Sequence, residues 1–277
     1  MAASLAAGAA SAAGAVSLQA PSGLQPLLEK HLGFIGEKSG DELDEGGRVA
    51  LLRRARKEVA DILATEGHFK PSVEGRETPG GGFAVVVDPG PRTTIADVEL
   101  HFSGAASGAA ERLDALRAAW ALPVGQPFRQ ADWDAAKQQL LDGLSLRDYA
   151  AAAITASEAL IDPESASARL RVDIDSGPAF RFGSIEVTGL ADYDRSLLER
   201  YQPPEPGEPY SQERLLRYQT ALQNTPYFAS VVVDVDRATA TPEAAPVQVL
   251  VTEAKPRRVG FGVGVSSNTG YRFETSY

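Results

Sequence analysis

Three short stretches decide the fold of this chain: Gly67-His68-Phe69, Asp148-Tyr149-Ala150 and Pro226-Tyr227-Phe228. Each stretch ends an amphipathic helix and precedes two strands. Their first residues are 81 and 78 positions apart, from 67 to 148 and from 148 to 226. Self-similarity at a fixed period indicates repeated modules. Because each module is long enough to hold its own small core, the pattern predicts separate domains in tandem.

Two further pairs of similar segments mark the junctions between these modules and the starts of their helices. Gly90-Pro91 and Gly177-Pro178 each lead, seven residues after the proline, into an alternating strand. Gly125-Gln126-Pro127-Phe128 and Gly207-Glu208-Pro209-Tyr210 each open a helix. These paired segments predict a first repeat at residues 16–91, a second at 92–178 and a third at 179–256.

Apolar periodicity within each repeat predicts the order strand, helix, helix, strand, strand, in which two helices cover one face of a three-stranded sheet. The fold class is therefore α+β. Asp132 and Ser211 are expected to cap helices, and the acidic segment 40–47 is expected to be a loop. Helices are predicted at residues 24–32, 48–66, 109–121, 132–146, 193–201 and 211–223. Strands are predicted at residues 16–19, 69–76, 83–88, 95–102, 149–161, 166–174, 182–188, 228–236 and 247–253.

Composition excludes several classes of function. The chain has 277 residues, of which 43% are hydrophobic, enough for about two or three domains. Its net charge is -10, with 27 Lys and Arg against 37 Asp and Glu, which argues against nucleic acid and against an anionic membrane surface as a partner. Because there is no cysteine, thiolate metal sites, a cysteine nucleophile and disulfides are excluded.

The two ends of the sequence differ from the repeats. Residues 1–15 are almost all Ala, Gly and Ser, which is typical of a clipped secretory signal or a flexible lead-in. From residue 257 onward, Val259-Gly260-Phe261-Gly262-Val263-Gly264-Val265 alternates apolar residues with glycine, as the wall of a transmembrane β-barrel does. We expect residues 257–277 to supply one barrel strand and the start of a second, in a fragment cut just inside a barrel.

Motifs for catalysis are missing from the sequence. His31, His68 and His101 lie in three different local settings, and no nucleophile-elbow, metalloprotease or P-loop spacing is present. The alternating glycines 260, 262 and 264 have the period of a strand and lack the following helix of a nucleotide site. We therefore expect a protein that is not an enzyme and has no cofactor and no metal site.

The repeats, the Gly-x-Pro-aromatic helix entries, the strand after Pro226-Tyr227-Phe228 and the glycine-alternating end together resemble the periplasmic POTRA repeats of the Omp85 superfamily. Within it, three repeats followed at once by a barrel strand match the TamA type better than the BamA type, which has more repeats. The resemblance implies a protein of the outer membrane of a Gram-negative bacterium, with these repeats in the periplasm.

The resemblance also implies partners and a mode of binding. The partners would be unfolded outer-membrane protein clients, including autotransporters, and an inner-membrane-anchored protein of the TamB type, with the barrel in the outer membrane. An edge strand offers unpaired backbone groups to an incoming extended chain, so the expected mode is strand addition. The alternative is a POTRA scaffold of a dedicated secretion pore or another binding module without insertase activity.

In this family the second strand of a repeat is the free edge, which places the expected contacts in the second and third repeats. The odd-numbered valines of 231–235 are expected to face the helices, with Asp234 and Asp236 facing water. The candidate protein-binding residues are Ala229, Val231, Val233 and Val235 in the third repeat and Ala150, Ala152 and Thr155 in the second.

Overall fold

The computed structural model describes residues 16–33, 44–78, 82–254, 260–266 and 270–276, with side chains up to Ala254. Contacts divide the chain into two compact units. The first unit comprises residues 1–101, 117–140 and 156–173, and the second comprises residues 102–116, 141–155 and 174–277.

The first repeat lies in the first unit and has the predicted order of elements. Strand β3 is central: β1 pairs with it in parallel register and β2 in antiparallel register, so the sheet order is β1-β3-β2. The elements are β1 (Val16–Gln19), α1 (Gln25–His31), α2 (Glu45–Thr65), β2 (Ser72–Thr78) and β3 (Gly82–Asp88).

Helix α2 shows why this sequence forms a helix against a sheet. Ala55, Val59 and Leu63 recur at helical spacing and are fully buried against the sheet. The helix begins at Glu45, three residues before the predicted start, because the Asp44 carboxylate accepts a hydrogen bond from the Gly47 amide at 2.7 Å. The prediction of a loop up to residue 47 is thus wrong at its end, and its residues 40–43 lie outside the described residues.

The second repeat forms a sheet of order β4-β6-β5, again with the second strand of the repeat at an edge. Its second helix begins at Gln130, so the prediction that Asp132 caps it is wrong. The Trp133 amide donates to the Arg129 carbonyl at 3.0 Å, and Asp132 lies in the first turn. The elements are β4 (Thr94–Ser103), α3 (Ala110–Ala118), α4 (Gln130–Ser145), β5 (Ala153–Asp162) and β6 (Ser167–Asp175).

The third repeat lies in the second unit and has the sheet order β7-β9-β8. Ser211 caps α6 as predicted, because its hydroxyl accepts from the Arg214 amide. The predicted helix at 193–201 is wrong in extent, since only four residues are helical ahead of the proline-rich loop. The elements are β7 (Phe182–Thr188), α5 (Ser196–Glu199), α6 (Gln212–Gln223), β8 (Phe228–Val235) and β9 (Ala245–Glu253).

A carboxylate at the end of β9 holds the loop after β7. The Glu253 carboxylate accepts hydrogen bonds from the amides of Ala191, Asp192 and Tyr193 at 2.9–3.0 Å. These bonds, first of all the one from Ala191, favour the charged form and lower the pKa of Glu253 below its ordinary value of 4.5. The contact therefore joins the last strand of the repeat to its first loop more firmly when Glu253 is ionised.

Replacing Glu253 by glutamine is expected to lower the thermal stability of the third repeat at pH 7. A carboxyl whose folded pKa is depressed stabilises the protein above the unfolded value near 4.5, and this stabilisation is lost as the pH falls through the folded pKa. Thermal unfolding at pH 7 and at pH 3 measures this, with Glu243→Gln, an exposed charge of the same repeat, as the control. An equal difference between wild type and Glu253→Gln at both pH values would contradict the assignment.

The glycine-alternating end forms two paired strands. Strand β10 (Gly260–Ser266) pairs with β11 (Gly270–Ser276) in antiparallel register, from Gly260 opposite Ser276 to Ser266 opposite Gly270. The sequence Ser266-Ser267-Asn268-Thr269-Gly270 predicts a turn between them, and its residues 267–269 lie outside the described residues. Among the described helices, none has both the length and the apolar character needed to span a membrane.

Candidate functional site

The free edge of the third sheet is β8, the strand on which the sequence places most candidate contacts. It pairs only on one side, with β9, from Ser230 opposite Thr252 to Val235 opposite Val247. Ala229 lies at a register shift between Phe228 and Ser230 and is exposed. The expectation that β8 is an edge strand is therefore met, although its binding of a partner stays a prediction.

Side chains alternate along β8 as predicted. Val231, Val233 and Val235 are each at most 5% exposed and belong to the core beneath helix α6. On the opposite face, Val232 is 54% exposed and lies directly across from Leu250, which is equally exposed. The valine side chains are therefore unavailable to a partner, and only their backbone groups and the face bearing Val232 can be contacted.

The backbone N–H and C=O groups of the odd-numbered residues of β8 point away from β9, toward the open edge of the sheet. The Asp236 amide donates to the Pro246 carbonyl of the neighbouring segment at 3.3 Å, so the even-numbered residues face β9. Because successive residues of a strand direct their backbone groups to opposite sides, Val231, Val233 and Val235 face outward. The outward amide of Val231 has no acceptor within the described part of the chain, and this is where an incoming strand could pair.

Two of the outward amides already have acceptors from the protein itself. The Val233 amide donates to Gln219 Oε1 of helix α6 at 3.0 Å. The Val235 amide donates to Asp234 Oδ1 at 2.8 Å. Gln219 could not be identified from sequence, because it is a polar residue next to the buried Tyr218, and such residues occur on every amphipathic helix.

In the second repeat, the structure places one of the three candidate residues on the edge strand and two outside it. Strand β5 begins at Ala153, so Thr155 lies on the edge strand, but Ala150 and Ala152 do not. Ala150 is 2% exposed and packs in the core of the third repeat, and the Ala152 amide donates to the Tyr149 carbonyl in a turn at 2.9 Å. Alanine has too small a side chain to reveal from sequence whether it belongs to a strand or to a joint.

Strand β5 is more exposed than β8. None of its ten side chains is buried, and Leu160 is 53% exposed. A hydrophobic side chain on an accessible edge strand is a feature that proteins usually cover or break with charge. Glu158 is the one charged residue between its two ends.

The joints, where one repeat meets the next, form a second candidate site, because equivalent backbone hydrogen bonds close each of them. At the first joint, the Thr93 amide donates to the Gly67 carbonyl, and the Phe128 amide donates to the Thr93 carbonyl, both at 2.9 Å. Phe69 packs against Phe128 with ring centroids 5.9 Å apart, and His68 Nδ1 lies 3.2 Å from the Gly90 carbonyl oxygen.

The second joint repeats this scheme with different side chains. The Phe180 amide donates to the Asp148 carbonyl at 2.6 Å, and the Tyr210 amide donates to the Phe180 carbonyl at 3.0 Å. Asp148 has a positive φ of 64°, as Gly67 has one of 89° at the first joint. A linker residue thus bonds both the end of one repeat and the aromatic helix entry of the next.

Charged side chains support each joint locally. At the first, the Arg129 guanidinium pairs with the Glu66 carboxylate at 2.9 and 3.1 Å, and Lys70 pairs with Glu164 at 2.7 Å. The bond to Glu66 raises the pKa of Arg129 above its ordinary value. At the second joint, Arg112 donates to Asp148 Oδ2 at 2.6 Å.

The described residues contain no group of three or more His, Asp or Glu side chains arranged to hold a metal ion. His101 Nδ1 lies 3.0 Å from Asp173 Oδ1, and Arg171 binds the same carboxylate, mainly through a hydrogen bond that lowers the pKa of Asp173. The three side chains lie on the exposed faces of β4 and β6, where they form a surface ion cluster.

Comparison with known proteins agrees with this architecture. The family model described as POTRA, surface antigen variable number repeat, matches residues 180–254, which span β7 to β9. The crystal structure of POTRA3-5 of BamA from Haemophilus influenzae is 17% identical, covers 87% of this chain and 96% of that chain, and gives a TM-score of 0.51.

A second solved structure gives the same result over a shorter part of the chain. BamA from Haemophilus ducreyi lacking POTRA domains 1-3 is 18% identical and covers 65% of this chain with a TM-score of 0.51; the match takes up 33% of that structure's own length. At these identities the likeness shows a shared fold. Residues 180–254 match the POTRA family model, and the described part of the chain contains three βααββ units, an architecture consistent with tandem POTRA domains.

Proposed function

We propose that this chain is the periplasmic docking arm of an outer-membrane protein of the Omp85 superfamily. In this proposal the three repeats, at residues 16–91, 92–178 and 179–256, receive unfolded β-barrel proteins or autotransporters on their way to the outer membrane of a Gram-negative bacterium. The POTRA match over residues 180–254 and the fold shared with BamA support it. The arm acts by binding and not by catalysis.

The finer assignment is to the TamA type. Three repeats are followed directly by the β10–β11 hairpin, whose strands consist of the glycine-alternating sequence and its aromatic continuation. We propose that residues 257–277 open the membrane barrel, and that the arm contacts an inner-membrane-anchored partner of the TamB type. Both proposals rest on repeat number and on the alternation of residues 259–265.

The mechanism we propose is strand addition at β8, and the observation that carries it is the outward direction of the Val231, Val233 and Val235 backbone. A client strand that pairs with β8 gains main-chain hydrogen bonds irrespective of its sequence. Its alternate side chains can contact the apolar pair Val232 and Leu250 on the open face of the sheet. This combination suits barrel strands, which alternate apolar and polar residues.

Val231→Pro tests this mechanism because it removes an outward amide without removing a bond between β8 and β9. Val231→Ala is the matched control, since it loses most of the buried side chain but keeps the amide. The probe is a fluorescein-labelled peptide with the sequence of residues 257–267, and the measurement is fluorescence anisotropy with the full chain.

We expect Val231→Pro to weaken peptide binding at least about fivefold relative to Val231→Ala, the equivalent of one lost hydrogen bond. Circular dichroism would establish that both variants remain folded. Equal affinities of two folded variants would count against strand addition at β8.

A further inference from the structure

The side chain of Gln219 occupies the place that a neighbouring strand would take beside β8. Gln219 follows the buried Tyr218 on helix α6 and is itself half-buried. Its Oε1 atom accepts the Val233 amide at 3.0 Å, within the range of an ordinary N–H···O bond between strands. A carboxamide oxygen is chemically close to a backbone carbonyl, so it can stand in for the acceptor that an added strand would place opposite Val233.

The first repeat has a comparable contact at its own free edge. Arg56 follows the buried Ala55 on helix α2, as Gln219 follows Tyr218, and its Nε atom donates to the Val73 carbonyl of β2 at 3.3 Å. Both polar residues are followed three positions later by the next buried residue, Val59 or Leu222. A polar residue of the second helix therefore reaches the edge strand in two repeats, a donor 11 residues before Gly67 in one and an acceptor 7 residues before Pro226 in the other.

The second repeat has a different arrangement at the corresponding position. Lys137 lies between the buried Ala136 and Leu140, in the same spacing. Its ammonium group lies 3.0 Å from Asp134 and 4.9 Å from the centre of the Trp133 ring. The polar residue at this spacing thus has a different contact in each of the three repeats, and it accepts from the edge strand in the third repeat.

We propose that Gln219 is a gate on the edge of β8. This inference rests on the proposed strand addition and adds to it how the edge is protected and opened. Without a client, Gln219 holds the Val233 amide and limits unspecific pairing, the hazard of every exposed edge. When a client strand pairs at the open Val231 amide, its carbonyl displaces Oε1 from Val233 as pairing extends toward Val235.

The gate also defines which partners bind. A short extended segment that reaches only Val231 gains little, because Gln219 still occupies the next outward amide. A longer strand that supplies a carbonyl at Val233 replaces one hydrogen bond with another and gains the bonds on either side. The edge therefore favours extended segments of several residues, such as whole barrel strands, over short turns of unfolded chain.

Gln219→Ala tests the gate, with Gln223→Ala, an exposed glutamine of the same helix, as the matched control. We expect amide exchange measured by NMR to become faster at Val233 in Gln219→Ala and to stay unchanged in Gln223→Ala. We expect the 257–267 peptide to bind Gln219→Ala about fivefold more tightly than wild type, because one competing hydrogen bond is gone.

Gln219→Glu provides a second variant that keeps an acceptor. Its carboxylate should hold the Val233 amide more firmly, since charged acceptors form stronger hydrogen bonds, and should weaken peptide binding. Unchanged exchange at Val233 in Gln219→Ala would overturn the contact itself. Faster exchange with equal or weaker peptide binding would overturn the gate.

Failure of the proposed strand addition and failure of the gate alone give different results. If wild type and all variants fail to bind the peptide while exchange at Val233 becomes faster in Gln219→Ala, strand addition is refuted and Gln219 is only a cap on the edge. If wild type binds and Gln219→Ala binds no better, strand addition stands and the gate alone is refuted.

Discussion

Replacing Gly67 by alanine is expected to destabilise the full chain by about 3 kcal/mol or more, among the larger effects of a single substitution. Gly67 has a φ of +89°, which costs a residue with a Cβ atom roughly 1–2 kcal/mol. A Cβ atom at Gly67 would also lie 2.1 Å from the Phe128 carbonyl oxygen, which belongs to the backbone of the next repeat. Because backbone cannot rotate away as a side chain can, the joint has to open.

Gly125→Ala is the matched control for this experiment. Gly125 has a φ of +90°, nearly the same as Gly67, but nothing lies within 4 Å of its Cβ position. Its substitution should cost only the conformational part, roughly 1–2 kcal/mol. Urea unfolding measures both losses, and limited proteolysis of the linker 90–93 reports opening of the joint. Equal losses for the two variants would show that the contact with Phe128 is unimportant.

Replacing Arg112 by methionine is expected to cost about 3 kcal/mol, because the side chain satisfies several acceptors at once. Its guanidinium donates to Asp148 Oδ2 at 2.6 Å and to the carbonyls of Gly143 and Arg147 at 2.8 and 3.0 Å. Gly143 lies in the last turn of α4, where helix carbonyls lack partners within the helix. The guanidinium also lies 5.2 Å from the centre of the Tyr149 ring.

The controls for Arg112 separate charge from geometry. Arg53→Met removes an exposed arginine from helix α2 and should change the free energy of unfolding by at most about 0.5 kcal/mol. Arg112→Lys keeps the charge but lacks the planar fork, so most of the loss should remain. If lysine restores the full stability measured by urea unfolding, charge alone accounts for the contact and the bonds to the helix carbonyls contribute little.

The third repeat could be predicted closely from sequence because its patterns are strong. Three valines at period two define one buried face of β8, and Ser211 is followed by an apolar stripe at helical spacing, so strand, cap and helix agree with each other. The edge position of β8 came from the family resemblance, since no local pattern distinguishes an edge strand from a central one.

The errors occur where the local sequence leaves the outcome to distant contacts. Asp132 is a better N-cap than Arg129 on propensity, but the Phe128 amide donates to the Thr93 carbonyl across the first joint, and this determines where the helix begins. Ala150 was assigned to a strand, although it packs in the core of the third repeat. Gln219 and Arg56 are ordinary polar residues of amphipathic helices until the sheet edge is in place beside them.

The repeated joint has a mechanical consequence. At each linker, a single residue, Thr93 or Phe180, donates to the repeat before it and accepts from the repeat after it. A pulling force on the chain at either place is therefore borne by paired backbone bonds before the linker can lengthen. Under the proposed strand addition, a client pulling on β8 would load a joint that resists extension, and the force would be transmitted to the backbone on either side of the joint.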